Sequence, residues 1–321
     1  MKAIILKQAG GVDKLLPAEL PEPTVRPSEV LIKVKAISIN PVDTSVRSNG
    51  EWMKFVLGLR GDEPYVILGW DISGVVTEVG ADVKKFMAGD EVFGLVNFPG
   101  QGKAYAEFVA AEEIHMALKP VNISHQEAAG ATLAALTAWQ ALVTYGQLIA
   151  GEKVLVQAAA GGVGHYAVQI ARHLGAYVIG TGSAGNKEFI LGLGAHEFID
   201  YHQQRIEAAV TDADLTIDAQ RDTDHIKRSI RTVRDGGRLV ALVNRFDDPT
   251  IQADAAAKKL KTISHLVSSS GEDMRAIAQL LKNGSVKTHI YQQYSFDEIP
   301  EAHLQIATGR TRGKIIIVLD Q

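Results

Sequence analysis

The chain has 321 residues, enough for about two domains with a sizeable core in each. It is 46% hydrophobic and 22% charged, with a formal net charge of −4, which argues against disorder and against a nucleic-acid partner. It contains no cysteine, which removes disulfides, thiol nucleophiles and cysteine-ligated zinc together.

The start, MKAIILKQAG, runs straight into a strand-like pattern without the long apolar core of a signal peptide. The expected location is therefore cytoplasmic. Residues 1 to about 120 read as mostly β. Val30 to Ile39 and Ile72 to Val79 alternate with period two, and Pro and Gly clusters break the pattern at Pro21 to Pro27, Asn49-Gly50 and Pro99 to Gly102. Ala128 to Gly151 is uncharged and long enough to suggest a membrane span, but it is rich in Ala, Thr, Gly and Gln. Buried helices are the better reading.

Val154 to Asp200 organises the rest. Val154 to Gln157 reads as a buried strand, Ala158 to Gly164 as a small-residue turn, His165 to about Leu174 as a helix, and Tyr177 to Gly180 as a second strand. That is the β–turn–α–β context a dinucleotide-binding motif requires. Residues without bulky side chains let backbone N–H groups approach a pyrophosphate, and the helix N-terminus favours its charge. The match is imperfect, because Ala159-Ala160-Gly161-Gly162-Val163-Gly164 has Ala at the first Gly. A P-loop is excluded, since Asn186 separates Gly185 from Lys187 and no Ser or Thr follows. A site for NAD usually carries an acid about 20 residues past the turn, on the ribose hydroxyl. Here Thr181-Gly182-Ser183-Ala184-Gly185-Asn186-Lys187 offers hydroxyls and a lysine with no acid before Glu188, so NADP(H) is favoured over NAD(H). The bland reading of the same loop is a solvated turn.

Beyond the turn, Glu197 to Ile199, Leu215 to Asp218, Leu239 to Val243 and Ile263 to Val267 read as strands alternating with helices, which predicts a doubly wound parallel sheet. Lys227, Arg228, Arg231 and Arg234 follow one helical face mixed with acids, and read as a solvated surface. A helix (Met274 to Leu281), a strand (His289 to Tyr294), a helix (Glu298 to Ala307) and a strand (Lys314 to Leu319) close the chain.

In chain order, NPVDTSVRSNG (Asn40 to Gly50), LGWDISGVVTEVG (Leu68 to Gly80), GDEVFG (Gly89 to Gly94) and AYAEFV (Ala104 to Val109) are followed by LTAWQAL (Leu136 to Leu142), AAAGGVG (Ala158 to Gly164) and TRGKIII (Thr311 to Ile317). As an ordered set they resemble the medium-chain dehydrogenase/reductase superfamily, in its zinc-independent quinone oxidoreductase-like branch, nearly end to end. The resemblance implies an α/β protein: a GroES-like β-rich domain at 1–121, completed by 271–321, with a doubly wound Rossmann domain at 122–270. Zinc-dependent members of the superfamily carry Cys at Asn40 and Gly-His-Glu at Gly69-Trp70-Asp71. Catalytic zinc needs about three convergent protein ligands. None of the ten histidines falls at these positions or forms a ligand spacing with another, and His115, His165, His173 and His196 read as surface or helix histidines. No metal is expected.

Without a Lewis acid the substrate must already be electrophilic, which points to a small quinone or an α,β-unsaturated ketone or aldehyde reduced by NADPH. By resemblance, Asn40, Asp43 and Thr44 lie near the nicotinamide, Trp52 forms a substrate wall, and Asn40 and Thr137 help bind the cofactor. Gly161, Gly162, Val163 and Gly164 match the pyrophosphate turn. Gly182, Ser183 and Lys187 fall in the adenosine-phosphate loop, although the common lysine position is Asn186. Tyr201 matches a tyrosine beside the adenine ribose, Val243 and Asn244 end the fifth strand beside the carboxamide, and Arg310, or Arg312, reaches a phosphate. Two other readings stand beside this one: an enoyl-thioester reductase, with Tyr65 as the candidate proton donor, and a non-catalytic NADPH-binding sensor. Ile263 to Val267, an edge strand without proline, predicts a homodimer.

Overall fold

In the computed structural model, which describes residues 1–220, 222–243 and 245–319, the glycine turn lies between the strand Lys153–Val156 and the helix Gly164–His173. The chain divides into two compact units: Met1–Leu136 with Val267–Gly284 and Thr288–Gln321, and Thr137–Leu266 with Ser285–Lys287. Residues 122–136, expected with the Rossmann part, fall in the first unit, because the boundary lies inside the helix Leu133–Trp139.

The first unit is built on the strand Glu29–Ile39. It pairs antiparallel with Asp71–Val79, Phe108–Glu112 and Lys314–Val318, within a sheet that also holds Ile290–Ser295, Glu91–Leu95 and Met116–Leu118. The period-two pattern predicts one wet face, yet only Lys33 is exposed along this strand. The other face is covered: Ala36 packs with Ala129 of the helix His125–Gly130 and with Ile316. That helix is started by a reciprocal cap, in which Ser124 Oγ accepts the Glu127 N–H at 3.2 Å and Glu127 accepts the Ser124 N–H at 2.8 Å. At the end of the long strand, Asn40 and then Pro41 open the helix Pro41–Ser48, proline suiting a position whose N–H would be unpaired anyway.

The second unit holds a six-stranded sheet, all of whose pairs are parallel. The order is Glu197–Asp200, Tyr177–Gly182, Lys153–Val156, Ala213–Asp218, Val233–Ala241, Lys261–Ser264. In chain order the strands run 3-2-1-4-5-6, the doubly wound arrangement whose ligands bind at the carboxyl ends. Val154, Leu155 and Val156 are each fully buried, so both faces of the central strand are covered, as a parallel sheet requires. Two expected strands end earlier than the sequence suggests. The fifth stops at Ala241 rather than Val243, and the sixth at Ser264 rather than Val267. The uncharged stretch at 128–151 becomes the end of one helix, the helix Leu133–Trp139 and a wide final turn over Gln140–Tyr145 with i→i−5 bonding, for example Gly146 N–H to the Ala141 carbonyl. Among the described residues no helix is long and apolar enough to cross a membrane.

Candidate functional site

The turn of the second unit has the shape of a phosphate cradle. Ala158 takes the left-handed conformation (φ 49°), and the turn is pinned to the next strand by the Ala159 N–H on the Thr181 carbonyl at 2.9 Å. A side chain at Gly164 would put its Cβ 2.1 Å from the Ala158 carbonyl oxygen, so glycine is needed there for close helix–strand packing. A Cβ at Gly161 would meet only that oxygen, at 3.2 Å, and otherwise points into open space. The backbone N–H groups of Gly162, Val163 and Gly164 have no acceptor among the described residues. Open space on one side and free donors at a helix N-terminus fit a bound pyrophosphate. His165, expected as an ordinary helix or surface histidine, is fully buried. Its Nδ1 lies 2.9 Å from the Gly161 carbonyl, to which a ring nitrogen can only donate, so it braces the turn.

At the neighbouring carboxyl ends a cavity of about 250 Å³ is lined by Ala184, Lys187, Phe198, Asp200, Gln203 and Gln204. Gly182 is buried beside it, Ser183 is half-buried and accepts from the Asn186 side chain at 3.1 Å, and Lys187 is exposed. Tyr201 is 49% exposed and its N–H reaches the Gly182 carbonyl at 3.3 Å, which places it at this end of the sheet. Strand pairing sets Asp200 opposite Gly182, so an acid absent from the second strand is supplied by the third. The sequence reading missed it because register between strands is not visible in a linear motif.

The first unit gathers its polar groups into one buried network. Asn40, Asp43, Asp71, Tyr105 and His303 are each at most 2% exposed. Asp43 accepts the Asn40 backbone N–H at 2.8 Å and the Tyr105 hydroxyl at 2.9 Å. With its hydroxyl hydrogen given to Asp43, Tyr105 must accept from His303 Nε2, 2.9 Å away, and His303 Nδ1 in turn accepts from Arg47 Nε at 3.3 Å. Every donor in this chain points toward Asp43. Burial, reinforced by the nearby Asp71 charge, pushes the Asp43 carboxyl up to about 7. Burial and the Arg47 charge bring the His303 imidazole down to about 3, so it is neutral at pH 7, as its hydrogen bonds require. Beside this chain, Asn40 Nδ2 donates to Asp71 Oδ2 at 2.7 Å, Asp71 Oδ1 accepts the Leu133 N–H at 3.0 Å, and the Lys314 ammonium donates to Asn40 Oδ1.

Asn40 and Asp43 are therefore brought together, with Asp71, Tyr105, His303 and Lys314 around them. The last three lie far from the Asn-Pro motif in sequence; only Tyr105 and Lys314 carried any signal, as members of the quoted AYAEFV and TRGKIII segments. Thr44 is half-buried and bonds the Pro41 carbonyl at 2.8 Å. Trp52 lies in the next helix, Gly50–Leu57, half-buried and stacked on the exposed Phe55 at 5.3 Å. Trp70 is packed in the core, its indole N–H on the Gly100 carbonyl at 2.7 Å. Thr137 is buried in the second unit, Val243 lies 47% exposed beyond the end of its strand, and Arg310 is exposed in the first unit. Asn244 lies outside the described residues. Among the described residues no three His, Cys, Asp or Glu side chains converge as a metal-ligand set.

Comparison with known proteins agrees with this architecture. The alcohol dehydrogenase GroES-like domain family matches residues 26–125, and the zinc-binding dehydrogenase family matches residues 193–317. The 2-methylene-furan-3-one reductase of Solanum lycopersicum is 33% identical over 99% of this chain and 79% of its own length. The NADPH-dependent alkenal/one oxidoreductase of Arabidopsis thaliana, a chloroplastic protein, is 32% identical over the same shares. The solved structure of the quinone oxidoreductase from Coxiella burnetii superposes with a TM-score of 0.91 at 32% identity, covering 100% of this chain and 99% of that one. With both halves matched in order and the whole length aligned above 30% identity, the chain belongs to the medium-chain dehydrogenase/reductase superfamily, in its quinone oxidoreductase-like branch.

Proposed function

We propose that the protein is an NADPH-dependent, zinc-free reductase of quinones or activated alkenes, the latter being α,β-unsaturated ketones or aldehydes. The observation that carries the reading is the amide of Asn40, held between Lys314 and Asp71 at the position where zinc-dependent relatives carry a cysteine ligand. The names of the tomato, Arabidopsis and Coxiella relatives support the substrate class and the cofactor.

When bound, the dinucleotide supplies a hydride. The free N–H groups of Gly162, Val163 and Gly164 would hold its pyrophosphate, and Ser183, Tyr201 and Lys187, which lines the cavity there, would meet its adenosine end. By resemblance, Thr137 and Val243 are assigned to the nicotinamide end and Arg310 to a phosphate. Asn40 would donate to the substrate's carbonyl oxygen, on which negative charge develops as the conjugated system is reduced. A proton from solvent completes the saturated ketone or, for a quinone, the hydroquinone. Asp43 and Thr44 shape the floor beside Asn40, and Trp52 forms the apolar wall.

A panel of quinones, enones and enals assayed with NADPH and with NADH tests the proposal. The expected result is turnover of at least one class, with NADPH bound several-fold tighter by calorimetry. No turnover of any, or tighter binding of NADH, refutes it. The acid supplied by Asp200 makes the NADPH preference the sharper half of the test. One observation favours a second reading: Tyr65 lines a cavity of about 250 Å³ in the first unit with Met53, Lys54 and Leu6. If an enoyl-thioester is the substrate, enoyl-CoA turnover exceeds enone turnover and is lost in Tyr65→Phe.

A further inference from the structure

Asn40 has no freedom to turn its amide over. Its oxygen receives the Lys314 ammonium and its nitrogen donates to Asp71 at 2.7 Å. The flipped amide would set NH2 against an ammonium and C=O against a carboxylate, losing two charge-assisted bonds and adding two repulsions. The partners are themselves fixed. Asp71 Oδ1 is held by the Leu133 N–H at 3.0 Å, and the Lys314 ammonium also lies 3.5 Å from the Ile39 carbonyl and 3.9 Å from Asp71. All three side chains are at most 3% exposed. An Asn amide carries two hydrogens, Asp71 takes one, and the second has no acceptor among the described residues.

We infer that Lys314 is a positioning residue for the reduction: by gripping the amide oxygen of Asn40 it aims and strengthens the remaining amide N–H toward the substrate's carbonyl oxygen. This rests on the proposed function, in which Asn40 meets that oxygen. A hydrogen bond into the amide oxygen draws electron density away from the nitrogen and makes its N–H a better donor. The arrangement places a full positive charge one residue behind the oxygen on which negative charge develops, in a buried setting where such charge counts for more than in water. Burial draws the Lys314 ammonium below its ordinary range, and the Asp71 and Asp43 charges oppose that pull.

A merely structural lysine would affect both substrate classes alike. Hydride addition to a simple enone concentrates charge on one oxygen, whereas a quinone spreads it over a ring and two oxygens. Loss of Lys314 must therefore slow enones more than quinones.

The test uses Lys314→Met and the double variant Lys314→Met/Asp71→Asn, which removes the Lys314 and Asp71 charges together so that Asp71 is not left as an unpaired carboxylate. With NADPH, kcat on an enone should fall about tenfold or more in each, while kcat on a quinone falls less than about threefold. NADPH affinity by calorimetry should stay at the wild-type value. Equal losses on the two substrates, or an unchanged enone rate in a folded variant, overturn the inference. Asn40→Ala separates the two levels. If it loses enone turnover while both Lys314 variants keep theirs, the role of Lys314 fails and the site stands. If it keeps full turnover, the site reading itself fails and takes the inference with it.

Discussion

Two glycines three residues apart carry different loads, and alanine at each tells them apart. At Gly164 an added Cβ lies 2.1 Å from the Ala158 carbonyl oxygen, 2.7 Å from Ala159 Cα and 2.8 Å from Ala158 C, all of them backbone. No rotamer relieves a backbone clash, so the helix must move off the strand. Overpacking of this kind costs about 1–3 kcal/mol. For a unit of this size each kcal/mol lowers Tm by roughly 2–4 °C, so Gly164→Ala should melt about 2–12 °C below wild type. At Gly161 the only neighbour is one oxygen at 3.2 Å, and Gly161→Ala should stay within about 0.5 kcal/mol of wild type. Its methyl group enters the space assigned to the pyrophosphate, so NADPH affinity should fall at least tenfold, about 1.4 kcal/mol. Thermal melting with calorimetric titration of NADPH reads both. If Gly161→Ala binds NADPH as wild type does, the pyrophosphate does not lie on this turn. If Gly164→Ala melts with wild type, the packing argument is wrong.

Stability between pH 4 and 6.5 should reflect opposed groups: His303 and His265, the latter drawn down to about 4 by burial, against Asp43. His303 is neutral in the native state, with its value near 3, and charges on unfolding, so its contribution is present above about 6.5 and is lost as pH falls, by roughly 3–5 kcal/mol at the low end. Asp43, raised to about 7, works the other way: its contribution is full below about 4 and is lost as pH rises through 7. Relative to wild type, urea unfolding should show a pH profile that rises more steeply in Asp43→Asn and less steeply in His303→Gln; three parallel profiles would disprove the assignment. Tyr105→Phe leaves Asp43 and His303 each one partner short and should cost about 2–4 kcal/mol in urea, and a loss under 1 kcal/mol would mean that solvent replaces the phenol. Exhaustive chelation should leave activity intact, and a stoichiometric zinc lost together with activity would overturn the zinc-free proposal. Among the described residues the strand Lys261–Ser264 has a single sheet neighbour, and we propose that its open edge pairs with a second copy about a two-fold axis. Sedimentation should show a dimer that Ile263→Lys weakens; a wild-type monomer at micromolar concentration refutes it.

What the sequence determined by itself was local. Alternation of apolar strands and helical segments after Val154 is a short-range signal, and it yields the parallel sheet because each strand must be buried on both faces. The small-residue turn at Ala158 to Gly164 is likewise legible, since backbone approach and tight packing demand small side chains at fixed spacing. Strand ends were read less well: the expected fifth and sixth strands overran by two or three residues, because Val243 and Val267 are apolar whether or not they sit in a ladder. The tertiary structure alone decided the rest. Lys314 meets Asn40 across 274 positions, and Tyr105 meets His303 across 198. Asp200 comes to face Gly182 only through strand register. No periodicity reports such pairs, because a buried charge or phenol is tolerated only where a distant partner completes its hydrogen bonds, and the fold chooses that partner.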